Sequence, residues 1–406
     1  MNTKLVKIFS IFLFGNLTSQ ALSYMIDWHV LRETGHATDF ALIIMLSSLV
    51  ALIAMPFIGT LVDRKNHKHL LLVAQIFEIV SLLIFFIQPY HNLVVYILLT
   101  IALSLANILF LLTMFASVAE IADNDEEMMK INGIQQGIST TFSIIAPPLA
   151  GFLLVFVSVR FFALIEIFSA VLVLFVTLSL TIKKTTAATA QASSDEKISF
   201  HDVLRFLFQK QLILSLMLVM VSLNFILAAV NIGIPYFITH QFAGNTKLLG
   251  IIETGLPIGM ILASFISQHL KKIHLLDTLR ISYSLVALSI ILFGVFAFLD
   301  VRNIIFIALT FLLCGLVLGA GQGVSQIPML TFLQKNISEK IQGRTFSIID
   351  TFAQILVPIG LLMYGFVYDH LNSGSILIVS GLVLLLFIIF ISKNFKNYKK
   401  DDRYDF

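Results

Sequence analysis

The sequence predicts an all-α membrane protein with twelve transmembrane helices arranged as two six-helix pseudo-repeats. Three observations carry this expectation. Of 406 residues, 58% are hydrophobic and only 12% are Asp, Glu, Lys or Arg, far from the composition of a water-soluble domain. The apolar residues gather into twelve runs near 8–30, 40–62, 70–88, 93–118, 133–155, 161–182, 211–239, 247–270, 280–299, 303–333, 345–368 and 374–392. Each is close to the roughly 20 residues a helix needs to cross hydrocarbon, where only closed backbone hydrogen bonding is tolerated. The chain also repeats itself: a polar segment at 124–133 precedes the run holding Pro147, and one at 336–344 precedes the run holding Pro358, 211 positions later.

The elements follow in order. Lys4 and Lys7 precede the first run, and Ser19-Gln20-Ala21 loosely resembles a leader cleavage site. Losing this run would leave eleven helices and break the pairing of the halves, so it is expected to remain a span. Within it Asn16, Gln20, Ser23 and Asp27 are spaced 4, 3 and 4 and share one helix face. The second run carries no charge from Phe40 to Val62, and no Lys or Arg occurs from His69 until Lys130. Between the second and third runs lies the charged loop that begins at Gly59 and holds Leu61, Asp63, Arg64, Lys65, His67 and Lys68. Such a cluster pinched between two membrane-length runs must lie in water. The fifth run holds Pro147 and Gly151, and the third and sixth hold Glu78 and Glu166. From Thr185 to Ser194 the chain is small and polar and reads as a flexible linker. Phe200, Val203, Leu204, Phe206 and Leu207 then recur at helical spacing, as in an amphipathic helix on the membrane surface or simply the start of the seventh run.

In the second half, Asn224 and Asn231 give the seventh helix a polar face, and Asp350 and Gln354 do the same for the eleventh. Glu253 lies in the eighth run. Gly315, Gly319 and Gly323 repeat every four residues and predict close helix packing. The expected plan is an N-terminal half at 1–182, a cytoplasmic linker at 183–210, a C-terminal half at 211–392 and a tail at 393–406.

With the N-terminus in the cytoplasm, 22 of the 26 Lys and Arg fall in inner segments. The outer loops hold Arg32, Arg160, Lys247 and Arg302. This positive-inside bias predicts a multi-pass cell-membrane protein with both termini cytoplasmic, and it accounts for the net charge of +3 without a nucleic-acid partner. The single Cys314 excludes an internal disulfide. All ten His lie in loops or near run ends, so no metal site is expected. No phosphate loop, nucleophile motif or cofactor signature occurs, and the chain is not read as an enzyme. A monomer is expected, with the bilayer, a small lipophilic substrate and protons as its partners.

The loop from Gly59 to Lys68 resembles the one between the second and third helices of major facilitator superfamily transporters. The family pattern there is Gly-x-Leu-Ala-Asp-Arg-x-Gly-Arg-Lys. Gly59, Leu61, Asp63, Arg64 and Lys68 match it, while Asn66 and His67 depart. Gln342 to Ser347 followed by Pro358-Ile359-Gly360, and Arg32 to Ala37, are similar to the macrolide-efflux members of the third drug:proton antiporter branch. The antiporter signature of the fifth helix, Gly-Pro-x-x-Gly-Gly, reads Ala146-Pro147-Pro148-Leu149-Ala150-Gly151, and the fourth-helix arginine is replaced near Ser104. The resemblance implies alternating access between two halves with substrate near the midplane. It also implies that the third, sixth, ninth and twelfth helices are peripheral. It assigns a gate to the charged loop, with Asp63 near Gly343, Arg344 and Phe346, and Arg64 paired with Glu120 or Asp123.

Five carboxylates fall inside the runs without a base beside them: Asp27, Glu78, Glu166, Glu253 and Asp350. A charge at the bilayer centre costs at least ~2.5 kcal/mol, so each needs a reason. Coupling to a proton gradient is one, with Asp27 first, then Glu253 and Asp350. Asn16, Gln20, Ser23, Asn224, Asn231 and Gln354 are the candidate cavity lining. Glu78 and Glu166 fall on peripheral helices, and Glu166 lies close enough to the end of its run to reach water. The reading is proton-coupled efflux of lipophilic, macrolide-like or cationic compounds. Alternatives are a flippase or exporter of a lipid or cell-envelope precursor, and a membrane scaffold that would not need a polar cavity face.

Overall fold

A computed structural model of the protein describes residues 3–88, 92–180, 207, 209–267, 275–299, 301–337 and 339–398. The linker and the amphipathic segment expected at 185–209 fall almost wholly outside them. Fourteen helices make up the described residues, with no strand among them. They are α1 (Thr3–Thr34), α2 (Ala37–Arg64), α3 (His67–Ile87), α4 (Leu93–Ile121), α5 (Asp125–Leu153), α6 (Val159–Leu178), α7 (Gln211–Gln241), α8 (Thr246–Glu253), α9 (Gly255–Ser267), α10 (Leu275–Phe298), α11 (Ile304–Asn336), α12 (Glu339–Gln354), α13 (Val357–His370) and α14 (Ser373–Tyr398).

Short polar residues start these helices. Asn66, Asn92, Asn124, Ser158, Asn245 and Asn303 each accept a backbone N–H of the first turn, as capping side chains do. Gly35 at φ 69° and Gly244 at φ 66° turn the chain between α1 and α2 and between α7 and α8. Eleven candidate spans among the described residues are long and apolar enough to cross a membrane. The helix missing from that set is α5. At 29 residues it is long enough, but Asp125, Glu126, Glu127, Lys130, Gln135 and Gln136 dilute its apolar character.

The eighth and eleventh runs are not continuous helices. One is broken at Thr254 into α8 and α9, the other at Ile355–Leu356 into α12 and α13. Both breaks have one cause. A proline has no N–H and its ring clashes with the carbonyl four residues earlier. The residues four before Pro257 and Pro358 are Glu253 and Gln354, where α8 and α12 end. Pro56, Pro147, Pro148, Pro235 and Pro328 lie inside helices that continue past them.

The chain divides into two compact units: residues 1–34 with 42–193, and residues 35–41 with 194–406. In the first, α1 packs against α4, α5 and α6, and α3 packs against α4 and α6. Ile8, Ile11, Phe12, Leu71, Met114 and Val118 form its fully buried core. In the second, α9 and α10 pack on α11, α10 on α14, and α7 on α13 and α14. Gly315, Gly319 and Gly323 bring α11 against α9, as their spacing predicts. A Cβ built at Gly315 would lie 3.3 Å from the Gly255 Cα, and one at Gly323 would lie 2.6 Å from the Ala263 Cβ. Large apolar side chains such as Phe57 and Ile87 are more than 70% exposed, an arrangement suited to lipid and costly in water.

Candidate substrate cavities and gate

Two polar cavities lie one within each unit. In the first, α1, α2 and α4 enclose about 170 Å³ lined by Ser19, Gln20, Ser23, Asp27, Ser47, Thr100, Ser104 and Asn107. The stripe read along the first helix is therefore partly gathered: Gln20, Ser23 and Asp27 line one space. Asn16 stays out of it and donates to the Phe12 carbonyl at 3.0 Å. Thr100 and Asn107 were not singled out in the sequence, yet with Ser104 they repeat at 4 and 3, the same helical rule that selects the stripe on α1.

In the second unit a cavity of about 400 Å³ brings together Asn224 and Asn231 from α7, Gln322 from α11, and Asp350 and Gln354 from α12. Asn224 also donates to the Ala353 carbonyl at 3.0 Å, tying α7 to α12. A neighbouring space of about 190 Å³ adds Tyr283, Ser325 and Gln326. Asn231 also lines a small space of about 30 Å³ with Glu253. Gln322, Ser325 and Gln326 escaped sequence reading because the glycine repeat dominates that helix. Among the described residues, no Lys, Arg or His lines any of these four spaces. A fifth space in the second unit, about 490 Å³ between α7, α13 and α14, is apolar apart from hydroxyls such as the Ser380–Tyr364 pair at 3.0 Å.

The loop assigned to a gate is built differently from the expectation. Asp63 and Arg64 are exposed in the last turn of α2. Arg64 pairs with neither acid at the inner end of α4. His67 Nδ1 lies 2.9 Å from Glu120, and Lys4 lies 2.8 Å from Asp123 and 3.2 Å from Glu127. The physical reason is chain geometry: α1 begins beside the α4–α5 turn, so its first lysine takes the acid that the motif would give to arginine. Glu127 also accepts the Asp123 N–H at 2.7 Å. This bond first, and Lys4 after it, holds its carboxyl below the ordinary 4.5. Lys130 does the same for Glu126. Lys68 donates to the Leu178 and Leu180 carbonyls at 2.7 and 2.9 Å, closing the end of α6. Leu61 is exposed, and a Cβ at Gly59 would meet no atom within 4 Å. Gly343 and Arg344 lie in α12, with the Arg344 side chain outside the described set. Pro147 and Gly151 are both buried in α5.

Two placements depart from the sequence reading. Glu166 does not reach water: it is 1% exposed, because α6 packs that face against α1 and α3. Asp369 was not singled out at all. Its carboxylate accepts the Ala37 N–H at 2.7 Å, the Thr38 N–H at 2.9 Å and the Thr38 hydroxyl at 2.5 Å, capping α2 from far along the chain.

Comparison with known proteins agrees with this architecture. The chain is 21% identical over 382 residues to macrolide efflux protein A of Streptococcus pyogenes, covering 92% of this chain and 91% of that one. It is 21% identical over 277 residues to the uncharacterized MFS-type transporter YvqJ of Bacillus subtilis (strain 168), covering 67% of this chain and 64% of that one. Among solved structures, nucleoside transporter NupG superposes with a TM-score of 0.69 at 17% identity, covering 98% of this chain and 99% of that one. A bacterial homologue of the iron transporter ferroportin in the inward-facing state gives 0.68 at 13%, covering 97% and 99%. At such identities the structures speak for the fold alone. The sequence profile of the Major Facilitator Superfamily matches residues 8–361, and the chain belongs to that family of membrane transporters.

Proposed function

We propose that the protein exports lipophilic compounds, macrolide-like or cationic, by alternating access coupled to protons. The observation that carries this reading is Asp27 lining a polar cavity with no base on its wall. A carboxyl so placed can exchange a proton with whichever side the cavity faces. Asp350 and Glu253 line spaces in the second unit. The full-length likeness to a macrolide efflux protein favours export over the other chemistries of this family. Both termini are taken as cytoplasmic from the positive-inside bias, and Asp63 as a gate element. A lipid exporter is the second reading. It is favoured by the apolar space between α7, α13 and α14, but an anionic headgroup would find no base in the polar cavities.

The test is ethidium and macrolide accumulation in cells with and without expression, before and after collapse of the proton gradient. Expression should lower accumulation, and an uncoupler should restore it. Accumulation unchanged by expression would remove the export reading, and lowering that survives the uncoupler would remove the coupling.

A further inference from the structure

α1 carries a second polar contact, away from the Asp27 cavity. The Glu166 carboxyl of α6 lies beside the Glu78 carboxyl of α3 and the Thr18 hydroxyl of α1. Gln75 Nε2 donates to Glu78 at 3.2 Å. These four residues are rich in acceptors and poor in donors. Two carboxyl groups cannot hydrogen-bond each other unless one of them carries a proton. The Thr18 hydroxyl has a single hydrogen, and the Phe14 carbonyl at 2.8 Å competes with Glu166 for it. Two further acceptors, Glu166 Oε2 and Gln75 Oε1, are buried with no hydrogen-bond partner. The Gln75 side chain belongs to a residue only 3% exposed.

Among the described residues no base neutralises the pair. α1 carries no titratable side chain between Lys7 and Tyr24, and α4 none between Tyr96 and Glu120. On α3 the nearest are His67, Lys68 and His69 in the first turn, and on α6 the nearest is Arg160. Most of these are engaged elsewhere. Lys7 donates to the Ser179 carbonyl at 2.8 Å and Lys68 to those of Leu178 and Leu180. His67 lies against Glu120, and Arg160 donates to the Phe86 carbonyl at 2.9 Å with its guanidinium over the Phe86 ring. His69 is exposed.

We propose that Glu78 and Glu166 form a proton-binding site, distinct from the cavity acids, that holds one shared proton and clasps α6 to α3 and α1. Loss of that proton sets two carboxylates against each other in a low-dielectric setting, where like charges repel strongly. The helices they join then loosen. This inference does not rest on the export reading, since both of its readouts are taken without substrate.

The test uses the full-length protein in lipid nanodiscs. Infrared difference spectra are recorded as the pH is raised, following the carbonyl stretch of protonated carboxyl groups, with thermal melting measured over the same range. The wild type should lose a protonated-carboxyl band on the alkaline side, and its melting temperature should fall with it. Glu166→Gln should lack that component and show a flatter melting profile, and Glu78→Gln should do the same if the first variant fails to insert. Asp27→Asn should keep the component. A band and melting profile unchanged in both glutamine variants would overturn the site, as would a band lost only in Asp27→Asn. Loss of the band on adding sodium at fixed pH would also overturn it, by assigning the site to a metal cation.

Discussion

Asp369 offers the most direct measurement of how this fold holds one of its helix ends. The first N–H groups of a helix have no partner within it, and for α2 those of Ala37 and Thr38 are both accepted by the Asp369 carboxylate. Replacing a capping side chain by alanine costs ~1 kcal/mol. A negative charge at a helix N-terminus adds ~0.3–1 kcal/mol. The two together come to ~1.3–2 kcal/mol. With a factor of ten for each ~1.4 kcal/mol, local opening of this helix end should become about ten- to 30-fold more frequent in Asp369→Ala. Amide hydrogen exchange of a peptide spanning residues 35–41 reads that opening directly. Asp369→Asn keeps one carbonyl acceptor and loses the charge, worth ~0.3–1 kcal/mol, so its effect should be smaller, about two- to fivefold. Exchange unchanged in Asp369→Ala would refute the capping account, and so would an asparagine variant more labile than the alanine one.

Four other outcomes are expected. Asp27→Asn should reduce gradient-driven efflux to the level of cells lacking the protein at equal membrane abundance, because the amide keeps size and hydrogen bonding but cannot carry the proton; wild-type efflux would remove Asp27 from the coupling role. Gly255→Ala should lower the melting temperature of the purified protein, since its Cβ would sit 2.6 Å from the Leu312 carbonyl and 3.2 Å from the Gly315 Cα, and overpacking of this kind costs ~1–3 kcal/mol. Gly133→Ala, whose Cβ meets nothing within 4 Å, is its control. The Glu127 carboxyl titrates below its ordinary 4.5 in the folded protein, so its contribution to stability is complete above that pH and lost as pH falls through the folded value; melting in Glu127→Gln should therefore decline less on acidification than in the wild type. In proteoliposomes, lipophilic cations should compete for transport better than matched neutral dyes, and multiply anionic dyes least, whereas equal competition by all three would show that the cavity acids exert no field.

What the sequence made legible was whatever repeats locally. The span lengths, the stripe of Gln20, Ser23 and Asp27, the pair Asn224 and Asn231, and the glycines of α11 all obey helical periodicity, and the structure gathers each set on one side of its helix. Proline was the partial case. Pro257 and Pro358 are plain to see, but so are Pro56 and Pro235, which leave their helices unbroken; only tertiary packing decides which carbonyls can be freed. Long-range pairing was not legible. Asp369 meets Thr38 across 331 positions, and Lys4 meets Asp123 across 119. The motif gives Glu120 or Asp123 to Arg64, whereas here His67 and Lys4 lie against them, because a local pattern carries no information about where α1 begins.

The placement of the bases gives the cavity acids their meaning. Lys7, Lys68 and Arg160 each donate to backbone carbonyls near helix ends, and Lys4 and Lys130 pair with acids around the start of α5. Lys7, Lys68 and Arg160 thereby satisfy carbonyls that a helix end leaves without partners. Such positions also keep the positive charge near water, where its hydration costs least. Asp27, Glu253 and Asp350 line the polar cavities, and among the described residues no Lys, Arg or His lines them. An uncompensated carboxyl in such a place lowers its cost in one of two ways, by taking up a proton or by drawing in a cation. The proposed proton coupling and the proposed preference for cationic substrates therefore rest on one arrangement: bases at the helix ends, acids along the cavities.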